Sequence, residues 1–271
     1  MRVFTTLLAK TLREQAGALA FSLLLLSVLF ALGGYLFKTF GDMSSQMMSR
    51  VSPEILAGLF GGALGGLSPL ETWLVTLFVH PVMLVVLASI VIASSSRAMA
   101  AEIDDGTVDL LLSYPVPRWI VVAVSFAAIQ LQLIVLCIAV LVSLRGGLIY
   151  GEIGLPERWS GFLWVTFNLW ALYFSASGVA LWISAASSER GAAIARSLGF
   201  LVVSFFANLL GSLWPKVEAL RIVSIFNYHQ PQPTLEAGGP LWGHLAVLLL
   251  VGAVGTGAAF WRFVSRDIHV A

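Results

Sequence analysis

The sequence predicts an all-α, polytopic membrane protein, and three observations lead there. Hydrophobic residues make up 59% of the 271 and charged residues 11%, with a mean hydropathy of +0.93. Soluble domains run nearer about 45–50% apolar and about 25% charged. Uncharged apolar runs long enough to cross a bilayer core, which takes about 20 helical residues, recur six times. Only helices and closed barrels satisfy their backbone in lipid, and the strand alternation of a barrel is missing.

The whole chain, 1–271, reads as one transmembrane domain. An interfacial helix covers 1–15, spans fall at about 17–37, 73–95, 119–143, 160–186, 197–214 and 242–261, and a charged loop fills 99–118. No Asp, Glu, Lys or Arg falls inside spans drawn this way. In the first segment Val3, Phe4, Leu7, Leu8 and Leu12 share one helical face, opposite Lys10, Arg13 and Glu14. That pattern suits a helix lying at the membrane surface. The run at 17–37 is longer than a signal-peptide core and has no A-x-A site after it, so it is expected to be retained as the first span.

Between the first two spans, residues 41–72 are too apolar for an ordinary loop and too broken by Pro and Gly for a span. A short external helix or partly re-entrant segment is expected, with Gly58, Gly62 and Gly66 spaced for close helix approach. Leu67-Ser68 follows the glycines where a phosphate loop needs Lys-Ser/Thr, so this is not a Walker A motif. The other external segments are 145–158 and 215–240, the latter long enough for an interfacial helix followed by an extended Pro-rich strip. Six spans put both termini on one side. Termini inside gives nine inner Lys/Arg against six outer, which favours cytoplasmic termini.

Catalytic and metal-binding patterns are absent. The four histidines are scattered, with no i,i+4 ligand pair and no CxxC motif, and G-x-S-x-G does not occur. Catalytic and metal sites are therefore both expected to be none. The single cysteine, Cys137, excludes an intrachain disulfide. Within the spans His80 is the ionisable residue, beside Pro81, where a hydrogen-bonded histidine at a kink is the plain structural reading. His80, Gln130, Asn168 and Asn208 are candidate path-lining residues, with helix-joining hydrogen bonds as the alternative role. Gln130 and Gln132 point to different faces and cannot both line one cavity.

The stretch AAEIDDGTVDLLLSYPVPRW at 100–119 concentrates Glu102, Asp104, Asp105 and Asp109 between oily runs. Asp105-Gly106 signals a turn, and Thr107 can cap a helix starting at Val108. Asp109 then sits where the helix dipole favours an anion. Pro115 and Pro117 end that helix, and Arg118 opens the next span. So much local order argues for a docking surface facing water. A second inner connection, 187–197, carries Glu189, Arg190 and Arg196.

The spacing E-x-x-x-GT-x-x-LLLS-x-P-x-x-R, present as Glu102, Gly106, Thr107, Leu110, Leu111, Leu112, Ser113, Pro115 and Arg118, resembles the cytoplasmic loop of ABC-2-type transporter permeases. The N-terminal surface helix, the SIFNYHQP stretch and the terminal Phe263, Arg266, Asp267 and Ile268 fit the same family, and the likeness covers essentially the whole chain. The resemblance implies a type V exporter-like fold and a non-catalytic permease paired with a separate ATPase. Two ATPase subunits would lie beneath two permease copies or two related permeases. It implies no cofactor bound directly, with ATP and Mg on the partner, no nucleic acid, and residence in the inner (cytoplasmic) membrane. By the same resemblance, Glu102, Asp104, Asp105, Gly106, Thr107, Leu110, Leu111, Pro115 and Arg118 would couple to the ATPase, with Glu189 and Arg190 as a second contact. The expected function is export of a hydrophobic or amphipathic substrate. The alternative is an ion-coupled secondary carrier or channel.

Overall fold

The computed structural model describes residues 2–40, 66–101, 104 and 117–265. Among them there is no strand. The helices are α1 (Arg2–Glu14), α2 (Ala16–Tyr35), α3 (Pro69–Leu77), α4 (Pro81–Ser96), α5 (Arg118–Tyr150), α6 (Trp159–Ala186), α7 (Arg190–Leu213), α8 (Leu220–Val223), α9 (Pro231–Ala237) and α10 (Trp242–Ser265). A π-helical turn, Arg97–Ala101, follows α4, and 3-10 turns flank α8. Six helical segments are long and apolar enough to span: α2, α3 with α4, α5, α6, α7 and α10. The glycine-rich segment and most of the 102–116 motif lie outside the described residues.

Helix ends run past the apolar runs that announced them. Helix α5 extends to Tyr150 rather than 143, and α7 begins at Arg190 rather than 197. Hydropathy locates the part of a helix that meets lipid, whereas backbone hydrogen bonding carries the helix on into water. At 33 residues and 1.5 Å per residue, α5 is about 50 Å long, against a core of ~30 Å. Helix α1 packs its half-buried face, through Leu7 and Thr11, beside Val121 and Ser125 of α5. Its Lys10 and Glu14 stay exposed, 3.7 Å apart.

Helix α6 is the hub, with 67% of its most apolar stretch buried, against 22% for α2. Lipid gives apolar helices little reason to associate, so contact has to come from close backbone approach. Helices α6 and α10 cross at Gly178, Gly252 and Gly255, where a Cβ on Gly255 would sit 2.6 Å from the Gly178 carbonyl carbon. Helices α2 and α5 meet in the same way at Gly34 and Gly147, and a Cβ on Gly147 would overlap the Ala31 backbone.

The helical start of the second span is corrected, while its apolar run 73–95 stays free of charge. The helix begins at Pro69, not 73, and contains Glu71, which is 1% exposed. Ser68, Pro69 and Glu71 form a capping box: the Ser68 hydroxyl accepts from the Glu71 N–H, and Glu71 Oε2 accepts from the Ser68 N–H at 2.9 Å. Glu71 also receives the Arg158 guanidinium on Oε2 at 3.0 Å and the Arg158 backbone N–H on Oε1 at 3.1 Å. Arg158 precedes α6, so one carboxylate staples the start of the second span to the start of the fourth. The signal was legible in Ser68-Pro69-Leu70-Glu71, but a hydropathy window passes over it.

The expected Pro-rich strip after α8 is also corrected. Residues Pro231–Ala237 are helical, because a proline at the first helical position gives up only an N–H that had no partner anyway. The segment tucks back against the bundle, burying Ile225, His229, Gln232 and Leu235.

Neighbouring glycines supply a test of the backbone crossings. Gly147→Ala should cost about 1–3 kcal/mol through overlap with α2. Gly146→Ala, with nothing within 4 Å of its Cβ position, should be neutral or stabilising by up to ~1 kcal/mol. Thermal unfolding of both variants in the same mild detergent measures the difference.

Candidate functional site

Two regions hold the sequence-predicted residues. The first is the end of the bundle where α4 gives way to the charged loop. Immediately after α4 the chain takes a π-helical turn, a form that concentrates at functional positions. Met99 and Ala100 are fully buried there, and the Ala100 N–H donates to the Ser184 hydroxyl on α6 at 3.2 Å. Asp104 is exposed, and its Oδ2 accepts from the backbone N–H of Arg190 at 3.1 Å. Glu189, at the N-cap of α7, offers no side-chain cap of its own, so the carboxylate from the other loop takes its place. An anion at that end also complements the helix dipole.

The two charged connections that sequence spacing treated separately are thus joined by a hydrogen bond. Arg118 is half-buried at the start of α5, and Glu189 is exposed. Glu102, Asp105, Gly106, Thr107, Leu110, Leu111 and Pro115 lie outside the described residues.

Above this end sits a buried polar node that sequence reasoning missed. Gln15, between α1 and α2, is 8% exposed. Its Oε1 accepts from the Ser94 hydroxyl of α4 at 2.8 Å and from the Gln132 amide of α5. The junction of α1 and α2 is therefore tied to the second and third spans by side-chain hydrogen bonds. In sequence Gln15 looks like an ordinary polar residue at a helix end, and only packing shows that it is buried.

The second region is an apolar cavity of about 410 Å³ between the broken second span, α7 and the segment after α8. The break itself explains much of the architecture. Pro81 has no N–H and holds His80 extended, at φ −62° and ψ 131°. In a continuous helix the Val82 N–H would bond the Phe78 carbonyl. Here each half of that bond finds a histidine. His80 Nδ1 accepts from the Val82 N–H at 3.3 Å, which makes Nε2 the protonated nitrogen of the neutral ring. His229 Nε2 lies 3.2 Å from the Phe78 carbonyl.

His229 is anchored on its other side as well. Its Nδ1 lies 2.8 Å from Asn168 Oδ1, and Asn168 Nδ2 donates to the Tyr228 carbonyl at 3.2 Å. Both ring nitrogens therefore face acceptors, which a cationic ring would satisfy. Burial is the larger effect and opposes charge, pushing His229 down to about 4 against the pull of the Phe78 carbonyl.

The four candidate path-lining residues divide accordingly. His80 and Asn208 share the cavity wall. Asn168 is absent from that wall and instead latches the SIFNYHQP stretch to α6. Gln130 is also absent from it and donates to the Ser177 hydroxyl of α6 at 3.0 Å. Both serve as joints between elements. Among the described residues no cluster of His, Cys, Asp or Glu could hold a metal ion.

The His229 latch has a pH signature. A histidine that stays neutral when folded and titrates near 6.5 when unfolded gives full stability above about pH 6.5, which drains away as pH falls toward 4. The slope reaches up to about 1.4 kcal/mol per pH unit. The unfolding midpoint of the wild type should drop between pH 7 and pH 5, and His229→Gln should flatten that drop.

Comparison with known proteins agrees with this architecture. A search of curated proteins finds no match. The family model described as ABC-2 family transporter protein matches residues 20–268. That match takes in most of the first span, the other five whole and both charged connections, and it assigns the non-catalytic membrane permease of an ABC transporter. By it, the chain belongs to the ABC-2 family of transporter proteins.

Proposed function

We propose that this chain forms the membrane path of an ATP-driven exporter of hydrophobic or amphipathic molecules, worked by a separate cytoplasmic ATPase. The observation that carries the reading is the hydrogen bond from the Arg190 N–H to Asp104. It brings Asp104 against the start of α7 at one end of the bundle. A push on the 102–116 segment would pass to α7 through Asp104, and to α4 and α6 through the π-turn and Ser184. Helix α7 and the lower half of the broken span are also walls of the cavity, so the same push changes the cavity's shape.

In this reading Glu102, Asp104, Asp105, Gly106, Thr107, Leu110, Leu111, Pro115 and Arg118 meet the ATPase, and Glu189 and Arg190 add a second contact. Two permeases and two ATPase subunits make the working unit, with ATP and Mg on the partner. Both termini face the cytoplasm of the inner membrane, since the docking loop has to face the ATP.

The test pairs capture with coupling. Affinity purification in mild detergent should bring down an ATPase carrying GxxxxGK[ST]. In reconstituted vesicles Glu102→Ala and Gly106→Val should leave insertion and assembly intact yet reduce ATP-dependent transport about tenfold or more, the effect of losing one or two charge-assisted contacts. Wild-type coupling in both variants removes the docking role. Transport driven by an ion gradient alone and abolished by His80→Ala would instead establish the carrier alternative.

A further inference from the structure

The cavity carries more information than its apolar lining. It follows α7 from Leu198 to Leu209 and the broken span from Thr76 to Ala88. Eleven helical steps along α7 cover about 16 Å, close to half of a ~30 Å hydrocarbon core. The cavity is therefore about as long as one leaflet is deep. Val85, Leu198, Val202 and Phe206 on its wall are 63%, 50%, 44% and 50% exposed. This apolar mouth opens sideways, toward lipid. Its volume suits a small amphipathic ligand.

Among the described residues, the one Lys or Arg on the cavity wall lies at one end. Arg221 lines the cavity beside the outer end of α7, and its stem lies on Gly211, where a Cβ would come within 2.6 Å of Arg221 Cγ. Its Nε is buried without a hydrogen-bond partner, and no carboxylate lies within 4.0 Å among the described residues. Asn208, three residues before Gly211, points a buried Oδ1 that also lacks a partner. Arg221 is partly exposed, and its buried Nε leaves one guanidinium donor unmet inside the cavity wall. An anion reaching it there would gain charge-assisted hydrogen bonds.

We propose that this cavity binds a single-chain anionic lipid taken sideways from the leaflet at the C-terminal end of α7. Arg221 holds the phosphate or carboxylate head, Asn208 bonds its polar neighbour, and the chain runs along α7 past His80 toward Ala88. As a substrate assignment this rests on the export reading above; as a binding site it stands without it.

Binding is measured on the full chain alone in zwitterionic nanodiscs, so failure of ATPase coupling cannot be mistaken for failure of the site. The probes are a lysophosphatidate and the monoacylglycerol with the same chain. The lysophosphatidate should bind about tenfold more tightly or better, as one charged contact warrants. Arg221→Gln should abolish that preference and leave monoacylglycerol binding in place, while Ala88→Trp, which fills the inner end, should weaken both. Equal affinities, a preference that survives Arg221→Gln, or lysophosphatidate binding untouched by Ala88→Trp would each overturn the proposal. A Val202→Cys variant keeps the test independent of how well Ala88→Trp folds. Lysophosphatidate should protect its thiol from maleimide, whereas disulfide-linked Val202→Cys pairs forming equally with and without lipid would show that a second copy occupies this face.

Discussion

Inside a bilayer no water is available to a stranded backbone group, so a helix that breaks there has to find a partner for each orphan. This constraint organises the half of the protein around the broken second span. Pro81 breaks the second span where the Val82 N–H would have met the Phe78 carbonyl, and two histidines take the two halves. His80 acts locally. His229 arrives from a segment far along the chain, and its position there depends on Asn168 of α6 and on burial among apolar side chains. The segment after α7 is thereby held against the bundle as the wall of a cavity that the break itself helps to open.

The same economy of contact governs the rest. The hydrophobic effect does not distinguish a leucine from a lipid tail, so helices are joined where glycines let backbones touch and where buried polar atoms meet. The α6–α10 crossing uses Gly178, Gly252 and Gly255, and the α2–α5 crossing uses Gly147. Glu71 with Arg158 fastens one end of the bundle, and Gln15 with Ser94 and Gln132 fastens the α1–α2 junction nearer the other. Buried ion pairs are costly to desolvate and often add little net stability. The four hydrogen bonds collected by Glu71 make it above all a device that fixes one register between two spans.

The chain has one heavily buried helix at its centre and helix breaks around it. Helix α6 touches most of its neighbours and is the most buried span. Around it, α4 ends in a π-turn, α7 begins at the carboxylate of Asp104, and the second span is already hinged at 78–80. A displacement at the Asp104–Arg190 contact thus has a short route, along one helix, to a cavity wall.

Sequence alone determined the class. Bilayer thickness imposes a length on every apolar run, and period and charge place those runs, so six apolar helices and a shorter N-terminal helix were legible without any contact information. The family was legible too, through a resemblance carried by the local spacing at 102–118. What sequence left open was which polar residues face one another. Asn168 and Asn208 look alike in sequence, yet one latches a loop and the other lines a cavity. Gln15 looks exposed and is buried, and Glu71 fell outside a span drawn by hydropathy. Pairings across 87 residues for Glu71 with Arg158 and 86 for Asp104 with Arg190 leave no local signature, because each depends on how whole helices are placed. Only the tertiary structure decided them.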